Sequence, residues 1–198
     1  ITEHFSVFRN DLLKNFEKKI AAKVFENASC RISVGKEFCE LLKKEYKLPF
    51  YYIPNLVDIN KFDYDKSKKQ SNTTRFITVG NLVSGKNIDL QLRALAKLNH
   101  DFHLSIIGSG PLLSTLKKTC VSLNIADKVS FEGFVPNIKL PEYLNNSDIF
   151  VFTSKYETFG IVTIEAMSCG LPVISTPVGL AKEILKNENL GCLASFDE

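Results

Sequence analysis

No Cys-x-x-Cys pair occurs among the five cysteines, at positions 30, 39, 120, 169 and 192, and their number is odd. Neither a disulfide framework nor a thiolate metal site follows from such spacing, so the thiols are read as reduced, cytosolic and mostly core-filling. No apolar run approaches the ~20 residues that a membrane-spanning helix needs. The dinucleotide fingerprint Gly-x-Gly-x-x-Gly is also incomplete, because Leu113 stands where the third glycine after Gly108 and Gly110 would fall. Charge of one sign is scarce: 25 Lys and Arg against 22 Asp and Glu leave a net charge of +3, too little to argue for nucleic acid. The surplus is uneven. Residues 1–70 carry 14 basic against 10 acidic side chains, which fits either a solvated face or contact with an anionic membrane surface.

What is present is a soluble α/β pattern. With 44% hydrophobic residues, the 198-residue chain can bury a full core for one domain and part of a second. Apolar side chains at Phe5, Phe8, Leu12, Phe16, Ile20 and Val24 recur at helical spacing and predict an amphipathic helix over 5–26. A short strand at Cys30–Val34, a helix at Gly35–Tyr46 and a strand at Tyr51–Pro54 follow. The stretch 63–74 is almost wholly polar and reads as a linker, dividing the chain into 1–62 and 75–198. From Arg75 onward, strands and helices alternate. Near-continuous apolar strands such as Ile149-Phe150-Val151-Phe152 imply a doubly wound parallel sheet covered on both faces. In such sheets ligands bind beyond the carboxyl ends of the strands, and Gly80–Lys86, Gly108–Pro111, Gly133–Val135 and Lys155–Gly160 all gather on that edge.

Two glutamates, Glu157 and Glu165, bracket the run Glu157-Thr158-Phe159-Gly160-Ile161-Val162-Thr163-Ile164-Glu165 just after a predicted strand. A helix opening near Gly160 leaves the backbone N–H groups of Gly160, Ile161 and Val162 free to hold an anion. A carboxylate beside such donors repels a lone phosphate. It makes sense if the ligand also carries hydroxyls, and a sugar attached to a diphosphate supplies both.

This run resembles the E-x7-E signature of retaining glycosyltransferases of the two-domain GT-B fold, the glycosyl transferases group 1 family. Further segments fall in the family's order: Val79-Gly80-Asn81-Leu82-Val83-Ser84-Gly85-Lys86, Ile106-Ile107-Gly108-Ser109-Gly110-Pro111, Val129-Ser130-Phe131-Glu132-Gly133-Phe134-Val135 and Cys169-Gly170-Leu171-Pro172-Val173-Ile174. Ile53-Pro54-Asn55-Leu56-Val57-Asp58-Ile59-Asn60-Lys61-Phe62 is similar to its interdomain linker, with Leu56 where glycine is usual. The resemblance implies a GT-B architecture, with residues 1–62 the end of an acceptor-binding domain and 75–198 a Rossmann-like nucleotide-sugar domain lacking its closing helices.

It also implies roles. Lys86 neutralises charge on the departing diphosphate, together with Gly80, Asn81 and the amides of Ile161 and Val162; Glu157, Phe159 and Gly160 position the sugar; Glu165 binds the ribose; and Phe134 and Val135 contact the base through their backbone. His4, in a stretch similar to the family's N-domain active site, is a further catalytic candidate. Asn81 stands where the family often has arginine, so more of the anion binding falls on Lys86 and the helix. Outside the linker no Asp-x-Asp pair occurs, and nowhere does a His/Cys cluster; no metal or other cofactor is expected. The implied function is transfer of a sugar from a UDP- or GDP-sugar, with retention, to a saccharide or lipid-linked acceptor in cell-envelope polysaccharide or glycolipid assembly. The expected location is the cytoplasm, with peripheral membrane contact through the basic N-terminal part, and the fragment alone is expected to be inactive. A nucleotide-sugar epimerase of the same fold and a non-catalytic nucleotide-sugar-binding partner are the alternatives.

Overall fold

The computed structural model describes residues 2–3, 15–65, 72–186 and 188–196. Its first part holds β1 (Thr2–Glu3), α1 (Asn15–Glu26), β2 (Ile32–Ser33), α2 (Lys36–Tyr46) and β3 (Tyr51–Tyr52), the strands forming a small parallel sheet in the order β1-β2-β3. Phe25, Phe38, Cys39, Leu42 and Phe50 make its core. The expected amphipathic helix is present over Asn15–Glu26, with Phe5, Phe8 and Leu12 outside the described residues. Its apolar stripe is not its packed face: Phe16, Ile20 and Val24 are 72%, 48% and 45% exposed. The helix packs instead through Ala21 and Phe25, one turn apart, because Phe25 meets Tyr46 and Phe50 edge to face at centroid distances of 4.9 and 5.1 Å.

The larger part alternates strand and helix: β4 (Thr74–Val79), α3 (Ile88–Leu95), β5 (Phe102–Ile107), α4 (Leu113–Ser122), β6 (Val129–Gly133), α5 (Leu140–Asn145), β7 (Ile149–Phe152), α6 (Ile161–Ser168), β8 (Val173–Ser175), α7 (Ala181–Ile184) and β9 (Gly191–Leu193). All six strands are parallel, in the order β6-β5-β4-β7-β8-β9. Successive side chains of a strand point to opposite faces, so Phe76 and Ile77 of β4 enter different cores. On one face α3 and α4 deliver Ile88, Leu92, Leu95, Leu116 and Cys120; on the other α5, α6 and α7 deliver Leu140, Leu144, Ala166 and Ala181. Val57 and Phe62, ahead of the polar stretch, already pack in the second of these cores.

Arg75 and Asp148 tie the starts of β4 and β7 together. The guanidinium donates to Asp148 at 3.0 Å, and the Arg75 backbone N–H adds a bond at 2.8 Å. Cys39, Cys120 and Cys169 are buried, as core-filling requires, whereas Cys30 and Cys192 are exposed, and none of the five is paired. Among the described residues, no helix is long and apolar enough to cross a membrane.

Candidate functional site

The strand order reverses between β4 and β7, the first pair of strands whose connections run to opposite sides of the sheet. The loops leaving their carboxyl ends therefore diverge and leave a crevice. A cleft of about 400 Å³ opens there, lined by Gly80, Asn81 and Lys86 after β4 and by Glu157 through Val162 after β7. Val34 and Asn55, from the smaller part of the chain, complete the wall.

The β4 loop is held by its neighbours. Leu82 donates its backbone N–H to Ser109 at 2.9 Å and accepts that of Leu112 at 3.1 Å, so the turn after β5 buttresses it. Glycine is required in that turn for close approach. A Cβ on Gly108, at φ +134°, would lie 2.0 Å from the Gly80 carbonyl oxygen, and one on Gly110 would lie 2.5 Å from that of Leu82. Gly108-Ser109-Gly110 thus shapes the loop that carries Lys86 and does not itself line the cleft. A short 3-10 turn, Ser84–Lys86, closed by Asn87 in the left-handed conformation, aims the lysine. Below it, the buried Gln91 amide donates to Thr78 at 3.1 Å and Thr153 at 2.8 Å, and the Thr153 hydroxyl is shared between the carbonyls of Lys86 and Asn87 at 3.1 and 3.0 Å.

Lys86 Nζ hydrogen-bonds Glu157 Oε1 and sits 5.2 Å from the Phe152 ring centroid. Both members of the ion pair are largely shielded from solvent. Gly160, at φ +80°, turns the chain into α6, and the helix begins with no side-chain cap. The Thr163 amide donates to the Gly160 carbonyl at 3.0 Å, so those of Ile161 and Val162 are left for water or a ligand, at the positive end of the helix dipole. Thr158, also on the cleft wall, has a buried hydroxyl with no hydrogen-bond partner. Lysine, open amides and a carboxylate in one crevice suit a ligand that is anionic at one end and hydroxylated at the other.

One helical turn beyond Ile161, and on the same side of α6, lies Glu165, only 7% exposed. Its Oε1 accepts a hydrogen bond from Asn137 Nδ2 at 3.3 Å. Burial pushes its carboxyl above the usual carboxylate range, and the Asn137 bond and the charge of Lys61 partly oppose this. Cys169, one turn further on, has its thiol pushed up to about 11 by burial first and then by the negative charges of Glu165 and Asp63.

Residues 60–197 match the family described as Glycosyl transferases group 1. The chain belongs to that family. It is 36% identical over 143 residues to the uncharacterized glycosyltransferase MJ1607 of Methanocaldococcus jannaschii, covering 71% of this chain and 37% of that protein. To N-acetyl-alpha-D-glucosaminyl L-malate synthase of Bacillus anthracis it is 31% identical over 175 residues, covering 84% and 45%. The chain thus spans less than half the length of these relatives. Among solved structures, Anabaena Alr3699/HepE in complex with UDP and glucose superposes with a TM-score of 0.86 at 21% identity, over 98% of this chain and 57% of that one. The six-stranded parallel sheet flanked by helices is that of GT-B glycosyltransferases.

Of the residues singled out from the sequence, this member of the family brings Gly80, Asn81, Lys86, Glu157, Phe159, Gly160, Ile161 and Val162 to one cleft. Glu165, Phe134 and Val135 are not among its lining residues; Phe134 is 78% exposed, while Val135 packs on the core. His4 lies outside the described residues. The linker's Asp63-Tyr64-Asp65 spacing is engaged with α5: the Asp65 backbone N–H donates to Asn145 at 3.0 Å, and Asn145 donates to the Asp63 carbonyl at 2.9 Å. Val34, Asn55, Thr153, Thr158, Gln91, Lys61 and Asn137 were not identified as site or supporting residues from the sequence. Thr158 lies inside the glutamate-bracketed run, and Asn55 and Lys61 lie in the linker motif.

Proposed function

We propose that the protein acts in the transfer of a sugar from a nucleotide-diphosphate sugar to an acceptor with retention of configuration. The observation that carries this reading is the convergence of Lys86, the uncapped start of α6 and Glu157 on one cleft at the sheet's switch point. The diphosphate takes Lys86 and the amides of Ile161 and Val162, the sugar hydroxyls take Glu157, and the ribose takes Glu165. The base lies by the backbone of Phe134 and Val135. As the bond from the anomeric carbon to the diphosphate breaks, the negative charge that grows on the leaving oxygen is stabilised by the ammonium and the helix amides. The acceptor hydroxyl then attacks the oxocarbenium-like centre from the same face and gives its proton to the departing phosphate.

Lysine and helix dipole carry the positive charge in this scheme, so it calls for no metal. HepE, of the same fold, holds UDP and glucose, which supports a uridine nucleotide here, with GDP the second candidate. The acceptor is a saccharide or lipid-linked saccharide, in glycoconjugate assembly on the cytoplasmic side. The cleft of these 198 residues binds the donor. Calorimetric titration with UDP and GDP, with and without magnesium, tests the reading: binding of one nucleotide without divalent metal is expected, and no binding, or binding only with magnesium, overturns it. Anomeric analysis of the transfer product tests retention.

A further inference from the structure

Glu165 is linked to the segment between β3 and β4 by two side chains to which the sequence assigned no role, Asn137 and Lys61. Asn137, in the loop after β6, donates its amide to Glu165 Oε1 at 3.3 Å, and its Oδ1 accepts a hydrogen bond from Lys61 Nζ. Lys61 is only a donor, so it fixes the side-chain amide with the oxygen toward itself and the NH₂ toward the carboxylate. One Glu165 oxygen is thereby occupied, and the other is left for a ligand. We propose that Lys61 and Asn137 are the positioning pair of Glu165, turning its second carboxylate oxygen toward the ribose hydroxyls of the nucleotide. The proposal rests on the nucleotide-sugar reading above, and it extends the site to a side chain that follows the chain's crossing between its two sheets.

Geometry and charge agree. A buried carboxylate that is to accept hydrogen bonds from hydroxyls must stay ionised and hold one rotamer. Burial opposes ionisation here, while the Asn137 bond and the Lys61 charge favour it. The other titratable group coupled to Glu165 is Cys169, whose thiol stays protonated at neutral pH because burial and the negative charges of Glu165 and Asp63 push it up. No other cation is placed against Glu165 among the described residues, so removing Lys61 has no obvious local substitute.

The test compares UDP or GDP, whichever binds, with its 2′,3′-dideoxy counterpart, by calorimetry on the chain as it exists. The native protein is expected to prefer the ribonucleotide by at least about fivefold. Asn137→Ala and Lys61→Ala should collapse that preference toward unity, with Lys61→Arg restoring it; residues that merely hold the loop would weaken both nucleotides equally and leave the ratio intact. A preference unchanged in both alanine variants overturns the proposal. If neither nucleotide binds, the nucleotide-sugar reading fails by itself. The titration of the Glu165 side chain, followed by carbon NMR and assigned with Glu165→Gln, then decides the positioning role. A midpoint raised by Asn137→Ala and Lys61→Ala supports it, and an unmoved midpoint overturns it.

Discussion

Lys86 and Glu157, 71 residues apart in sequence, meet in an ion pair between the loop after β4 and the loop after β7. In the ligand-free protein the lysine that is to meet a diphosphate is thus already engaged by the carboxylate that is to meet a sugar. A bare nucleoside diphosphate must draw the ammonium away and leave the carboxylate beside a second anion. A nucleotide sugar supplies hydroxyls to the carboxylate as it does so. On the proposed reading, the pair discriminates between product and donor.

Replacing the carboxylate tests this directly. Glu157→Gln is expected to tighten the bare nucleoside diphosphate by about 0.5–1 kcal/mol, a partly shielded ion pair being modest in strength, and to weaken the nucleotide sugar by about 1–3 kcal/mol through the lost charged acceptor. Titration of both ligands against both proteins reads the crossing of the two effects; parallel shifts would remove Glu157 from the sugar site.

Glu165→Gln should behave differently, weakening diphosphate and nucleotide sugar alike by about 1–3 kcal/mol, since both carry the ribose. It should also change stability with pH. A carboxyl whose folded pKa is raised by burial contributes stability that is present in acid and lost as pH rises through that raised value. The ligand-free variant should thus melt higher than the native protein at neutral pH, and the difference should shrink below the ordinary carboxylate range. Calorimetric melts at several pH values report it, and a gain that grows in acid would contradict the assigned cause.

Thr153→Val removes the hydroxyl shared between the carbonyls of Lys86 and Asn87 while keeping the volume. Stability should fall by about 1–2 kcal/mol because the Gln91 amide and those carbonyls lose a partner. Diphosphate affinity should fall several-fold as the lysine loop loosens. Denaturant melts with parallel titrations separate the two effects.

Gly108→Ala places a methyl group against the Gly80 carbonyl at a positive φ. Both the overlap and the backbone conformation oppose it, so a loss of at least about 2 kcal/mol is expected. Wild-type stability in denaturant melts would show that the turn yields easily and does not brace the β4 loop.

The sequence by itself determined the doubly wound sheet and the gathering of motifs on its carboxyl edge. Apolar strands such as Ile149-Phe150-Val151-Phe152 repeat at a period set by covalent geometry, and a parallel sheet puts the carboxyl ends of all its strands on one side. The glutamate run placed the opening of α6 at Gly160 for the same local reason, since a left-handed residue before a helix favours glycine. Tertiary structure alone decided which face of α1 is buried: periodicity marks an apolar stripe, but packing chose Ala21 and Phe25 because α2 and Phe50 lie on their side. It also decided that the glycines after β5 brace the loop that carries Lys86. And it decided that Lys86 meets Glu157 and that Lys61 reaches Asn137, 76 residues away. Pairings of this kind follow from strand order and loop direction, which no local window of sequence contains.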